Sequence, residues 1–463
     1  MTASEKLTGR VKIFYGVADG GIAMLTASVS FFLLFFYTDV LGINPALAGT
    51  ALLVGKLTWD AINDPLFGYL SDRTRSRFGR RRPYMLLGAI PLAFATWLLY
   101  SISANMMGAT AFLVILTTYL LFDTLHTLVS VPYYALTPEL THDYDERTAL
   151  TAVRMVFSVI GYIVGAAATT AIAGAFHSAF GWTEKAAYSG MGAVFGLVAA
   201  VAVLSTALNV RERPDREVAP SHLPPVAAVL QTFRNRPFVI LASAFFISSF
   251  SFTLLTSLLP YFLTYQLKME AQVPVVLLVM LLTIGLFLFP WKMVADRISK
   301  GPAYALGLFI ASVAVMSTYF LPYGPTPLVY LIAVVAGFGF SGQWVFPWSM
   351  LPDVVEYDQK ATGERREGIY YGVWAFVTKL TAALGIAVSG WALSLFGYVP
   401  NVVQTETARL GIRLFFGLVP AIAILASLPL LIRYPITKAS HARLRAELDV
   451  SGVPEPGSAM SSE

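Results

Sequence analysis

About twelve stretches of roughly 20 largely apolar residues recur along the chain, each long enough to cross the hydrocarbon core of a bilayer as a helix. Their limits run 16–37, 46–70, 83–103, 109–135, 150–175 and 187–209, then 237–265, 272–295, 302–322, 327–351, 368–397 and 410–433. In lipid every backbone polar group must be satisfied within the segment, so apolar runs of this length span as helices. Composition agrees, with 56% of residues hydrophobic, 13% charged and a mean hydropathy of +0.67; an ordinary soluble chain is about one quarter charged. The sequence therefore predicts an all-α integral membrane protein of twelve transmembrane helices.

A polar segment, 211–236, rich in charge and in proline (Pro214, Pro220, Pro224, Pro225), divides this array. It reads as a cytoplasmic linker between two six-helix bundles, 1–210 and 237–433, with a tail at 434–463. The halves echo each other. Ser71-Asp72-Arg73 after span two corresponds to Ala295-Asp296-Arg297 after span eight, and Pro132 with Pro138-Glu139 after span four corresponds to Pro347 with Pro352-Asp353 after span ten. Two matches at corresponding places indicate duplication, and internal repeats around a central site are the architecture by which secondary transporters alternate access.

The start of the chain carries Lys6, Arg10 and Lys12 and runs into apolar sequence without a small-residue cleavage site, so no cleavable signal peptide is expected. With that end inside, inner loops and tail hold 25 Lys and Arg against 3 outside (Lys185, Lys268, Arg409). This positive-inside bias predicts that both termini are cytoplasmic, in a plasma or bacterial inner membrane. The net charge of +5 does not imply nucleic acid, because the basic residues punctuate apolar runs instead of sharing one solvated face. With no cysteine, disulfides, thiol nucleophiles and cysteine metal sites are excluded. Neither a soluble catalytic or signalling domain nor a nucleophile cluster is present, so a transporter without a cofactor is expected, not an enzyme.

Carboxylates within a membrane are costly and mark function. Those within the spans are Asp19, Asp60, Asp64 and Asp123, all in the first half. Asp60 and Asp64, in Trp59-Asp60-Ala61-Ile62-Asn63-Asp64-Pro65, share one face of span two about 6 Å apart along its axis. Two like charges that close do not both ionise unless a cation sits between them. The outline is a hard-cation site for sodium at Asp60 and Asp64, or for a proton on the same carboxylates. Asn63 offers an amide oxygen, Thr127 a hydroxyl and Asp123, one turn before Thr127, a third carboxylate. The alternative is a simple salt bridge to Lys56 or Lys379, although replacing such a pair by apolar packing would often stabilise the fold.

Lys379 is the lone central cation of the second half, so its partner must come from the first. Arg154 either hydrogen-bonds a polar solute or closes a gate with loop acids such as Glu139. The indole faces of Trp344 and Trp374 suit stacking on sugar rings, with core packing as the other reading. His126 either relays protons or hydrogen-bonds a neighbouring helix.

The loop Gly68-x-x-x-Asp72-Arg73-x-Arg75-x-Arg77-x-Gly79-Arg80-Arg81 resembles the signature of the major facilitator superfamily. An Asp at a helix C-terminus opposes the dipole, so Asp72 suits a gate ion pair with arginines such as Arg73 and Arg77; plain anchoring is the alternative. Over essentially the whole chain the sequence resembles the glycoside-pentoside-hexuronide:cation symporter family within that superfamily. The resemblance is carried by Tyr15-Gly16-x-x-Asp19, the Trp59–Pro65 segment, Pro132-Tyr133-x-Ala135-Leu136-x-Pro138-Glu139, Asp353-x-x-Glu356-Tyr357, Thr362-Gly363-x-Arg365-x-Glu367-Gly368 and Lys379.

It implies the major facilitator fold and cation-coupled uptake of a sugar or glycoside by a monomer. Asp60, Asp64 and Thr127 match its cation positions. Arg154, Trp344, Trp374 and Lys379 match positions lining its sugar site, with Asp19 and Tyr134 beside them. Glu139, Asp353, Arg365 and Glu367 join Asp72 as gate candidates. The sequence also departs from the melibiose permease that typifies the family: Ala23 and Ser130 stand where that protein grips galactosyl hydroxyls with aspartates, and Tyr134 replaces a tryptophan. The vertebrate sodium-coupled lysophospholipid carriers resemble the family too, which leaves an amphiphile as the alternative solute.

Overall fold

The computed structural model describes residues 7–103, 106–141, 144–212, 232–362, 367–441 and 443–444; within these, the side chains of residues 60, 61, 65, 72, 138, 139, 144, 145, 147, 148, 361, 367 and 368 are not described. The described residues are helical, without strands. In chain order the long helices are α1 (Gly9–Val40), α2 (Pro45–Arg73), α3 (Arg82–Leu99), α4 (Gly108–Ala135), α5 (Tyr144–Phe180) and α6 (Glu184–Asn209). The second set is α7 (Arg236–Gln266), α8 (Val273–Leu286, continued by Pro290–Ile298), α9 (Lys300–Phe320), α10 (Leu328–Thr362), α11 (Glu367–Leu395) and α12 (Glu406–Ile432).

Ten of these are long and apolar enough to cross a membrane, and α8, bent by 52° at its break, makes an eleventh. The remaining one, α2, has the length at 29 residues, but Lys56, Asp60, Asp64, Asp72 and Arg73 lower its hydropathy. Helix starts are written locally. Thr8, Asn44, Thr183, Asn235 and Thr405 each accept a hydrogen bond from the backbone N–H three residues on, satisfying donors that a helix N-terminus leaves open. Pro45 and Pro237 follow two of these caps at the position where a missing N–H costs nothing.

Small residues bring the helices together, as expected where lipid gives no hydrophobic drive between them. A Cβ on Gly161 of α5 would lie 2.0 Å from the carbonyl oxygen of Gly20 on α1, and one on Gly165 would lie 2.2 Å from that of Met24. One apolar core is built almost wholly from α1–α6, around Tyr15, Phe36, Tyr100 and Tyr133. The other is built mainly from α7–α12, with Phe31, Phe32 and Phe35 of α1 entering it. The halves also touch where α2 starts and α11 ends: a Cβ on Gly390 would lie 2.3 Å from the Pro45 oxygen. That contact is at the end of the bundle opposite the linker.

Several helices run further than apolar content alone suggests. α10 continues to Thr362 instead of stopping near 351, so Asp353 and Glu356 project from a continuous helix and not from a loop. α1 continues through a π turn, Phe36–Val40, which brings Asp39 into the first span. The described spans therefore hold a membrane acid beyond Asp19, Asp60, Asp64 and Asp123.

Candidate functional site

Among the described residues, two polar groups inside the apolar bundle contain predicted site residues. The first joins the halves: Lys379 Nζ of α11 forms an ion pair with Asp64 Oδ2 of α2, both side chains about one third exposed (32% and 33%). One residue before Asp64, Asn63 is buried and donates from Nδ2 to Asp123 Oδ2 of α4 at 3.4 Å. Asn63 Oδ1 is buried with no hydrogen-bond partner. Buried acceptors are rarely left open without an ion or water to explain them. Here that oxygen belongs to a residue already bonded to a carboxylate, and the buried hydroxyl of Thr127 lies one turn beyond Asp123. An all-oxygen donor set of this kind fits a hard cation as cargo. Asp60 lies on the same helix, one turn before Asp64; its side chain is outside the described residues.

The second group lies within the first half. Asp19 of α1 is 3% exposed, and Arg154 Nε of α5 stands 3.8 Å from its Oδ2. That is an ion pair but too long for a hydrogen bond, and Arg154 Nε has no hydrogen-bond partner. The guanidinium also lies 5.4 Å from the ring centre of Tyr134, which is 43% exposed. Tyr15 and Tyr133 stack at 4.8 Å, Tyr133 donates to the Tyr15 carbonyl at 2.8 Å, and the Tyr15 hydroxyl meets Thr137 at 2.5 Å. These contacts hold α1 against α4 and set Asp19 opposite Arg154. The arrangement leaves one buried guanidinium N–H of Arg154 unsatisfied near an exposed ring.

The aromatic candidates divide. Trp344 is half-buried, with its ring edge-on to Tyr162 of the other half at 5.4 Å. Trp374 is 0% exposed and stacked on Phe245 at 4.4 Å, so in this conformation it offers no face to a solute; its Nε1 is buried without a partner. Trp348, edge-on to Trp374, is exposed instead. His126 Nε2 lies 3.4 Å from the Thr26 hydroxyl of α1, a contact to a neighbouring helix.

At the linker end, Arg73 lies over the Tyr69 ring at 4.2 Å and Arg77 over Phe78 at 4.8 Å. Glu212, where the linker begins, accepts from the backbone N–H groups of Arg80, Arg81 and Arg82 at 2.5, 2.8 and 2.7 Å. A carboxylate at the start of α3 is favoured by open N–H groups and by the dipole alike. Asp353 pairs with Lys300 of its own half at 2.6 Å and lies 3.5 Å from His441 of the tail, which also meets Glu356 at 2.8 Å. The side chains of Asp72, Glu139 and Glu367, and Arg365 altogether, lie outside the described residues. His441 carried no sequence signal, whereas Asp39 would have been found by extending span one through the tyrosine-flanked turn that follows it.

Residues 14–438 match the family described as MFS/sugar transport protein. The chain belongs to that family. Members carry solutes across membranes, so this MFS chain is a transporter and not an enzyme. It is 31% identical to an uncharacterized symporter of Synechocystis sp., sll1374, over 96% of this chain and 97% of that one. It is 28% identical to the sodium-dependent lysophosphatidylcholine symporter 1-A of Danio rerio (93% and 86% covered) and 29% identical to the isoprimeverose transporter of Lactiplantibacillus pentosus (92% and 87%). Among solved structures, the nucleoside transporter NupG shares its fold, with a TM-score of 0.65 at 14% identity over 91% of this chain and 98% of that one.

Proposed function

We propose that this MFS transporter is a cation-coupled symporter that accumulates a sugar or glycoside by alternating access, working as a monomer in a plasma or bacterial inner membrane. The observation that carries the reading is the Lys379 to Asp64 ion pair between the halves, one residue along α2 from Asn63 with its unsatisfied oxygen. A sodium ion or a proton arriving at Asn63, Asp64, Thr127 and Asp123, with Asp60 one turn before Asp64 along the same helix, competes with the lysine for carboxylate charge. Ion binding thereby loosens a contact between the two bodies that must move. The solute sits on the Arg154, Asp19 and Tyr134 group, where the unsatisfied guanidinium N–H and the exposed ring suit a hydroxylated ring. With 25 Lys and Arg at the linker end against 3 opposite, the linker end faces the cytoplasm. The contacts between Gly390 and Pro45 then shut the outer side, as in an inward-open carrier.

Uptake into proteoliposomes of a sugar and glycoside panel, under an imposed sodium or pH gradient, tests this. Uphill accumulation of at least one member under one gradient is expected; no accumulation under either would refute it. An amphiphile is the second reading, favoured by Ala23 and Ser130, small buried residues where the melibiose permease carries sugar-gripping aspartates. Uptake of a lysophospholipid with no sugar uptake in the same vesicles would select it. A periplasmic reporter active at Glu463 would overturn the orientation.

A further inference from the structure

Asp39 joins the halves at the end opposite the linker. α1 and α7, the first helices of the two halves, both end in five-residue π turns, Phe36–Val40 and Phe262–Gln266. The fourth residue of each is Asp39 in one and Tyr265 in the other, so these two occupy equivalent places in the repeat, and they meet. Asp39 is 4% exposed, and its Oδ1 accepts from the Tyr265 hydroxyl at 2.5 Å and from the Tyr398 hydroxyl at 2.5 Å. Oδ2 accepts from Thr38 at 2.6 Å, and the Thr38 hydroxyl also meets Tyr261 of α7 at 2.6 Å.

The Asp39 carbonyl accepts from Asn401 Nδ2 at 2.6 Å, while the Asn401 backbone N–H donates to Tyr265 at 3.0 Å. Asn401 holds φ +59°, a left-handed conformation that asparagine adopts more readily than most residues. Tyr398 lies in the turn beyond α11, where burial first and the Asp39 charge second push its pKa up, so it remains a donor.

An acid at a helix C-terminus opposes the dipole, and within α1, among the described residues, the offset comes from the Thr38 hydroxyl. The rest comes from the other half: the Tyr265 and Tyr398 hydroxyls on the carboxylate, with the Asn401 amide on the Asp39 backbone carbonyl. Hydrogen bonds to an ionised acceptor are the short, strong class. They fail together once α1 parts from α7 and from the turn after α11. Water then hydrates the freed carboxylate, so the parted state exposes a polar group and not an apolar seal. We propose that Asp39 is the latch of the outer gate: a positioning residue that holds that end shut through Tyr265, Tyr398 and Asn401, and that binds neither ion nor solute. The gate role rests on the carrier reading above.

The absence of cysteine makes single-cysteine labelling a direct test. Ser257 lies one turn before Tyr261 on the same face of α7 and is 1% exposed. In right-side-out vesicles carrying Ser257→Cys, a membrane-impermeant maleimide added outside reads opening of this end without solute or coupling-ion gradient. Adding Asp39→Ala is expected to raise the labelling rate about tenfold, equivalent to about 1.4 kcal/mol, and Tyr398→Phe about two- to threefold. A cysteine placed at Ala199, buried in the core of the first half, should stay unlabelled in the same backgrounds. An unchanged labelling rate in the Ser257→Cys background overturns the latch, as does equal labelling at both positions, which reports a loosened fold. If Asp39→Ala does not fold, Tyr265→Phe with Tyr398→Phe carries the test, with an unchanged rate again refuting it. A failure here leaves the uptake assay untouched, and a failure of uptake leaves the labelling result standing.

Discussion

Replacing Lys379 by alanine removes the positive charge paired with Asp64 across the two halves. Two unit charges at an ordinary contact distance of about 3 Å attract by roughly 5 kcal/mol at an effective dielectric constant of about 20. Each side chain is about one third exposed, so water screens part of this and ordering the lysine costs part of the rest. Exposed pairs net about 0–1 kcal/mol, whereas deleting one partner of a buried pair costs about 3–5 kcal/mol. An intermediate pair is therefore expected to show a coupling of about 2 kcal/mol. The assay is a double-mutant cycle on purified protein, Lys379→Ala against Asp64→Asn, read by denaturant unfolding without the coupling ion.

Lys379→Ala alone should lose most stability, Lys379→Arg should lose little, and the double variant should recover stability without recovering ion-driven uptake. If the two single effects add to within about 0.5 kcal/mol, the behaviour expected of independent sites, the cross-half pair contributes nothing and the coupling mechanism built on it is wrong.

Asp64→Asn should abolish uphill accumulation while leaving solute exchange measurable, because the proposed solute site is the Arg154 group and not Asp64; uphill uptake at the unmodified rate would remove Asp64 from the ion site. Arg154→Gln should raise the apparent KM about 10- to 100-fold, as loss of a charge-assisted hydrogen bond of about 1.5–3 kcal/mol requires, and a change in maximal rate at constant KM would instead make Arg154 a gate residue. Gly161→Ala, whose Cβ would meet the Gly20 carbonyl oxygen at 2.0 Å, should lower the melting temperature clearly, whereas Gly174→Ala, in open space, should leave it within error; equal effects would contradict the α1 to α5 packing.

Membrane residence follows from the sequence because it depends on a one-dimensional property, about 20 apolar residues in a row. Motif positions are equally legible: Asp60, Asn63 and Asp64 fall on one helix, and helical spacing alone puts the first and last on a common face. The linker end of α10 was less legible. Its last turns carry Asp353, Glu356 and Asp358, so hydropathy ends the span near 351, while helical hydrogen bonding continues to Thr362. Trp374 shows the other limit: an indole on an apolar helix reads alike whether its face meets a solute or Phe245, and only the position of α7 against α11 decides.

Sequence by itself determined that this chain lives in lipid and that the acids it marks in the spans lie on α1, α2 and α4, with Lys379 on α11. Those are properties of composition and helical period, carried by residues a few positions apart. Which acid meets that lysine, across 315 positions of chain, was decided by the packing of α2 on α11. Asp39 shows the same dependence more sharply. Along the sequence it is an acid at the end of an apolar run, and its three donors from the other half become neighbours only when the paired π turns bring the ends of α1 and α7 together.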